Sequence, residues 1–163
     1  MLKGVTGVHH VSMSVPNLQK AKEFYVDILG FEIVAKMGWE QGSDAIDDIV
    51  GLKNSAANLL MLRAGNAHLE LFEYTSPEPK PGDPMRPACD HGYTHFCLDV
   101  VGIYEVYQRL VDAGMEFNTP PQGQVAETGI VATYGRDPFG NLIEIQELRD
   151  DHDMNLNKAG RVI

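Results

Sequence analysis

The chain carries the same pattern twice. "VHHVSMSVPNLQKAKEFYVDILGF" near its start and "YTHFCLDVVGIYEVYQRLVDAGM" in its second half each read as an alternating strand, then a helix that stops at a glycine. The closing strands match as well: "HLELFEY" lies on "LIEIQEL", which places Glu70 on Glu144. An internal repeat constrains a fold more than any single element does, because both copies must be the same supersecondary unit. Between those ends, "FEIVAKM" and "NLLMLRA" extend the first unit, and "EFN" and "GIVATYG" extend the second. Each unit therefore reads strand, helix, then three strands.

Boundaries follow from composition. The first module covers about residues 5–74 and the second about 92–148. The stretch 75–91, "TSPEPKPGDPMRPACDH", holds five of the nine prolines and reads as an extended linker, rising roughly 3 Å per residue where it is polyproline-like. The tail 149–163 is polar and is expected to be mobile or to pack on a partner chain. In the first module, Asn17 is the expected helix cap and Gly30 the stop, with Leu18, Ala21, Phe24, Tyr25, Ile28 and Leu29 on the apolar stripe. "GN" between the last two strands favours a hairpin. Residues 38–55 hold "SDAIDDIVGL", a possible short helix whose Asp44, Asp47 and Asp48 read as a solvated face.

Strand alternation then sorts the side chains. Val11, Met13 and Val15 face the helix and leave His10 and Ser12 on the other side. Leu69 and Leu71 go in and Glu70 goes out. Phe96, Leu98 and Val100 go in while His95 goes out, and Ile143 and Ile145 go in while Glu144 goes out. Two imidazoles and two carboxylates thus take equivalent places on the faces away from the helices. Such donors suit one divalent metal (Zn²⁺, Ni²⁺, Co²⁺, Mn²⁺ or Fe²⁺) and leave positions for water or substrate.

The totals exclude other classes. A formal net charge of −10 argues against a phosphate-backbone partner. No stretch reaches the roughly 18 consecutive apolar residues of a membrane helix, and the start lacks the apolar core of a secretory signal. Cys89 and Cys97 have no metal-ligand spacing. The expectation is a cytoplasmic protein acting on a small molecule, of 163 residues and 44% hydrophobic content.

"VHHVSMSVPNLQKAKEFYVDILGF", "HLELFEY", "GYTHFCLDV" and "RDPFGNLIEIQEL" resemble the vicinal oxygen chelate superfamily, which includes glyoxalase I, methylmalonyl-CoA epimerase, extradiol dioxygenases and the fosfomycin and bleomycin resistance proteins. The resemblance covers about residues 5–148. It implies an α+β fold of two paired βαβββ modules forming a cup-shaped mixed sheet with the helices outside, around one divalent metal. By motif the ligands fall on His10, Glu70, His95 and Glu144. It further implies a lyase or isomerase of the glyoxalase I or epimerase type, moving a proton next to a carbonyl through a metal-bound enolate, with Glu70 and Glu144 as acid and base.

Two alternatives stay open. A ring-cleaving dioxygenase would use His10, His95 and Glu144 without needing a carboxylate at 70, and a resistance-type protein would only bind its ligand. Modules in this superfamily pair within a chain or across two chains. The linker is long enough for pairing within one chain, and a homodimer of such chains is expected. His68, Phe72, Cys97 and Tyr134 are candidate pocket residues, with Thr133 beside Tyr134. Cys97 reads as pocket wall rather than nucleophile, Trp39 as a lid or simple packing, and His9 as a structural residue on the helix side or the sheet rim.

Overall fold

In the computed structural model, which describes residues 3–156, strand β1 spans His10–Ser14 and alternates between exposed and partly buried residues. Asn17 ends its loop by accepting a hydrogen bond from the Lys20 amide at 2.8 Å, which satisfies one of the orphan donors of helix α1, Leu18–Lys22. The helix continues as a π-helical stretch over Glu23–Ile28, with the Leu29 amide reaching back five residues to the Phe24 carbonyl at 3.1 Å. That spacing shifts the phase of the apolar stripe. Ala21, Phe24 and Tyr25 are buried, whereas Ile28, expected on the same stripe, is 37% exposed. Gly30 then takes a positive φ of 79°, which glycine adopts without a Cβ penalty.

Three strands complete this first unit: β2 over Glu32–Trp39, β3 over Ala56–Ala64 and β4 over Ala67–Ser76. β3 and β4 form the hairpin through Gly65 and Asn66. The order is β1-β4-β3-β2, with β1 parallel to β4 and the other pairs antiparallel, and α1 packs on β3 and β4. Leu62, Leu69 and Leu71 are buried beneath it. Full burial of such a side chain contributes about 1.5–3 kcal/mol, so the two leucines that flank Glu70 hold that carboxylate on the opposite face.

The second unit repeats this plan. β5 spans Phe96–Asp99, α3 spans Ile103–Asp112, β6 is only Glu116–Phe117, β7 spans Ile130–Arg136 and β8 spans Leu142–Leu148. Their order, β5-β8-β7-β6, reproduces the first sheet position for position. Ile103, Leu110, Ile143 and Ile145 are buried. The Glu147 carboxylate accepts from the Ile103 amide at 2.8 Å and so caps the start of α3 from the sheet. Before β8, Asp137 accepts from the amides of Phe139 at 2.9 Å and Asn141 at 2.7 Å. That turn sets where the strand carrying Glu144 begins. "RDPFGN" is thus a built turn, and the short helix α4, Val125–Thr128, lies in a stretch for which the sequence suggested no element.

The described residues divide into two compact units, Gly7–Pro81 and the chain from Gly82 onward with residues 3–6. Each has the α+β character expected. The proline-rich stretch is shared between them: β4 extends to Ser76, while Arg86 accepts at its carbonyl from Arg136 Nη2 at 2.7 Å and donates from its own guanidinium to His91 at 2.6 Å. Part of the tail is folded too, since the Arg149 amide donates to Gly129 at 3.0 Å and Asn155 is buried. The remainder of that tail, 157–163, lies outside the described residues. Among the described residues no helix is long and apolar enough to cross a membrane.

The region 38–55 departs from its sequence reading. Helix α2 spans Asp44–Val50, and Asp47, only partly exposed, is tied to the chain by hydrogen bonds. It accepts from the Asn54 amide at 2.6 Å, the Ser55 amide at 2.9 Å and the Ser55 hydroxyl. The Ser55 hydroxyl in turn accepts from Trp39 Nε1 at 2.9 Å. These bonds, the Ser55 hydroxyl foremost, hold the Asp47 carboxyl below its ordinary pKa. A carboxylate whose pKa is depressed by folding contributes stability above its unfolded pKa and loses it as pH falls through the folded value. The difference in urea midpoint between the wild type and Asp47→Asn should therefore be full near pH 6 and shrink on acidification below about pH 4, and a difference that stays constant across that range would contradict this role.

Candidate metal and acid–base site

β1 and β4 place the first pair. Register sets Ser12 beside Glu70 and His10 beside His68. His10 Nε2 lies 3.4 Å from Glu70 Oε2, and their side chains are 38% and 14% exposed. The Ser12 hydroxyl donates to the same carboxylate oxygen at 2.6 Å. The ring of His10 is held on its other side, where Nδ1 shares a 2.8 Å hydrogen bond with Nδ1 of His9. His9 itself stacks on His68 with centroids 4.7 Å apart and planes 15° from parallel, and the His68 amide donates to the His9 carbonyl at 3.1 Å. Of the helix side and the sheet rim that the sequence allowed, these contacts put His9 at the rim, one residue before β1.

β5 and β8 place the second pair in the same way. Cys97 is beside Glu144 in register, the position that Ser12 holds in the first unit. His95 stands one residue before β5, with Nε2 3.1 Å from Glu144 Oε2. Its Nδ1 meets the Thr94 hydroxyl at 2.9 Å. Tyr134, the cross-strand neighbour of Glu144, sets its ring edge-to-face on His95 at 4.8 Å. Burial and the hydrogen bond to Glu144 push the Tyr134 phenol up from its ordinary pKa. Cys97 is accessible as a residue, yet its thiol is screened enough that burial, and then the Glu144 charge, push it up to about 12. A thiol so protonated is a donor toward Glu144 and a poor nucleophile. Thr133 points the other way, buried and donating to the Thr119 carbonyl at 2.6 Å.

Further along the first sheet, Phe72 and Tyr74 follow Glu70 on one face, stacked at 5.4 Å. Trp39 closes on both edge-to-face, at 6.1 and 5.8 Å. The tryptophan thus packs within its unit. Burial and the Glu70 charge push the Tyr74 phenol up from its ordinary pKa.

The donor pairs can be compared with metal geometry. Bonds from zinc to imidazole nitrogen or carboxylate oxygen are about 2.0–2.2 Å, so two such donors stand about 3.0 Å apart at a right angle and about 3.4 Å at a tetrahedral angle. The observed 3.4 and 3.1 Å fall on those spacings, and an imidazole with a carboxylate is a donor set that such ions accept. Among the described residues no three His, Cys, Asp or Glu side chains stand together as a metal site. Each unit thus presents a pair.

Sequence reasoning did not assign a role to Ser12 or Thr94, and gave His9 a structural role without naming its partners. Parity placed Ser12 on the correct face, but its bond to Glu70 depends on a register across 58 residues. Thr94 and His9 each precede a singled-out histidine, and that adjacency was the available signal.

The comparisons agree with this architecture. The model of the Glyoxalase/Bleomycin resistance protein/Dioxygenase superfamily matches residues 7–145, and the chain belongs to that superfamily. It is 31% identical over 104 residues to a 2-epi-5-epi-valiolone epimerase of Actinomyces sp., covering 63% of this chain and 56% of that protein. The chain thus matches a little over half the length of that relative. It is 23% identical to the mitochondrial methylmalonyl-CoA epimerase of Dictyostelium discoideum, across 88% of this chain and 80% of that one. The crystal structure of a glyoxalase family protein from Bacillus cereus superposes with a TM-score of 0.78 at 22% identity, over 91% of this chain and 98% of that one, and shares the fold.

Proposed function

We propose that this protein is a metal-dependent epimerase or related isomerase or lyase, which removes and returns a proton at a carbon next to a carbonyl. The observation that carries the reading is the pair of matching contacts, His10 Nε2 to Glu70 Oε2 at 3.4 Å and His95 Nε2 to Glu144 Oε2 at 3.1 Å. His10, Glu70, His95 and Glu144 would together hold one divalent ion. When bound, such an ion supplies positive charge beside the substrate's carbonyl oxygen, where negative charge grows as the proton leaves.

The chain's own residues supply the proton chemistry. Glu70 and Glu144 each carry a second carboxylate oxygen besides the one facing histidine, and an acid–base carboxylate needs a free oxygen within reach of the proton. They are not equivalent. Glu70 receives the Ser12 hydroxyl, whereas Glu144 is surrounded by the Cys97 thiol and the Tyr134 phenol. Two carboxylates in different settings suit an epimerisation in which one group takes the proton and the other returns it. The two named epimerases among the relatives support that reaction type, and Glu70 supports it over ring cleavage, for which His10, His95 and Glu144 alone would serve.

Glu70→Gln and Glu144→Gln keep an oxygen donor but cannot accept the proton at neutral pH. In metal-loaded protein incubated in deuterium oxide with 2-epi-5-epi-valiolone or methylmalonyl-CoA, at least one variant should lose exchange at the substrate carbon by about 10²–10⁴-fold. Unchanged exchange in both, or consumption of dioxygen during turnover, would contradict the proposal, the latter in favour of the dioxygenase reading. We further place both pairs in one chain. Mixing His10→Ala chains with Glu144→Ala chains should then recover no metal sites, and recovery of sites would show that they are shared between chains.

A further inference from the structure

Both metal-facing imidazoles are held from behind by the residue that precedes them. In the first unit, His10 Nδ1 is 2.8 Å from His9 Nδ1, with the rings edge-to-face at 5.1 Å. In the second, His95 Nδ1 is 2.9 Å from the Thr94 hydroxyl. In both units this leaves Nε2 aimed at the glutamate of the same unit. The two orienting groups are chemically unrelated, so the repeat reproduces the role and not the residue. His9 is itself fixed by its stack on His68 and by the 3.1 Å bond between the His68 amide and the His9 carbonyl. It is therefore a preset acceptor or donor rather than a loose side chain.

We infer that His9 and Thr94 are positioning residues, which fix ring orientation and tautomer so that His10 and His95 present Nε2 to a metal. The inference rests on the metal reading above. A nitrogen can bind a metal only through its lone pair, so the ring proton must reside on Nδ1, and that N–H needs an acceptor. The Thr94 hydroxyl supplies one for His95. Because it rotates, it can also donate to Nδ1 in the metal-free protein, where His95 Nε2–H donates to Glu144. His9 supplies the acceptor for His10 through its Nδ1 lone pair, with its own proton on Nε2. Valine at 94 would fill the same space with no acceptor, leaving a polar N–H to find another partner or the ring free to turn.

The test uses the full-length protein and Co²⁺. Affinity is measured by competition with a chelator, and the ring N–H protons of the bound histidines are followed as paramagnetically shifted, exchangeable proton resonances. Wild type should show two such resonances. Thr94→Val should bind about 10–100-fold more weakly with one resonance lost or in faster exchange, Thr94→Ser should restore both readouts, and His9→Ala should affect the other resonance. Wild-type affinity and both resonances in Thr94→Val and His9→Ala would overturn the positioning role while leaving the metal reading intact. Failure of the wild type to bind Co²⁺ would overturn both.

Discussion

Strand register is the constraint on which the site depends. Leu69 and Leu71 on β4, and Ile143 and Ile145 on β8, are buried against their helices, and the residue between each pair is a glutamate. A slip of one residue would turn both carboxylates toward the helices and expose four large apolar side chains. The apolar burial, at about 1.5–3 kcal/mol per side chain, therefore positions the two carboxylates more firmly than any hydrogen bond at their tips. The Asp137 turn adds to this by fixing where β8 begins. Parallel pairing with β1 and β5 then brings a histidine, and a Ser or Cys, onto the same face.

The two units share a backbone plan and differ in what surrounds the carboxylate. Around Glu70 are a serine hydroxyl and, farther along the face, Phe72, Tyr74 and Trp39. Around Glu144 are a thiol and a phenol, and the positions matching Phe72 and Tyr74 are Gln146 and Leu148. The fold evidently does not require aromatics there, since the second copy forms the same sheet without them. Two carboxylates with different surroundings suit the proton transfer proposed above, and a diverged repeat provides them.

Much of this was legible in the sequence because it follows from period. Alternation at "HVSMSV", "HLELFEY", "THFCLDV" and "LIEIQEL", together with the repeat, located the two pairs and the α+β plan. Asn17 and Gly30 marked their helix ends by local chemistry. What alternation could not reach were contacts set by distant register. His9 stands before β1, and its contacts with His68 join residues 59 apart in the chain. Asp47 looks like any acidic residue on a short helix, and only the return of the chain at Asn54 and Ser55 converts it into an anchor for Trp39. The π-helical stretch is likewise invisible to a 3.6-residue period, and it is why Ile28 is exposed.

We propose above that His10, Glu70, His95 and Glu144 act as one ligand set. Crystals of the protein grown with Co²⁺, with anomalous scattering recorded at the cobalt edge, test it most directly. One peak per chain is expected, within about 2.0–2.2 Å of Nε2 of both histidines and of an oxygen of both glutamates. A peak bound by only one of the pairs, or by other residues, would contradict it.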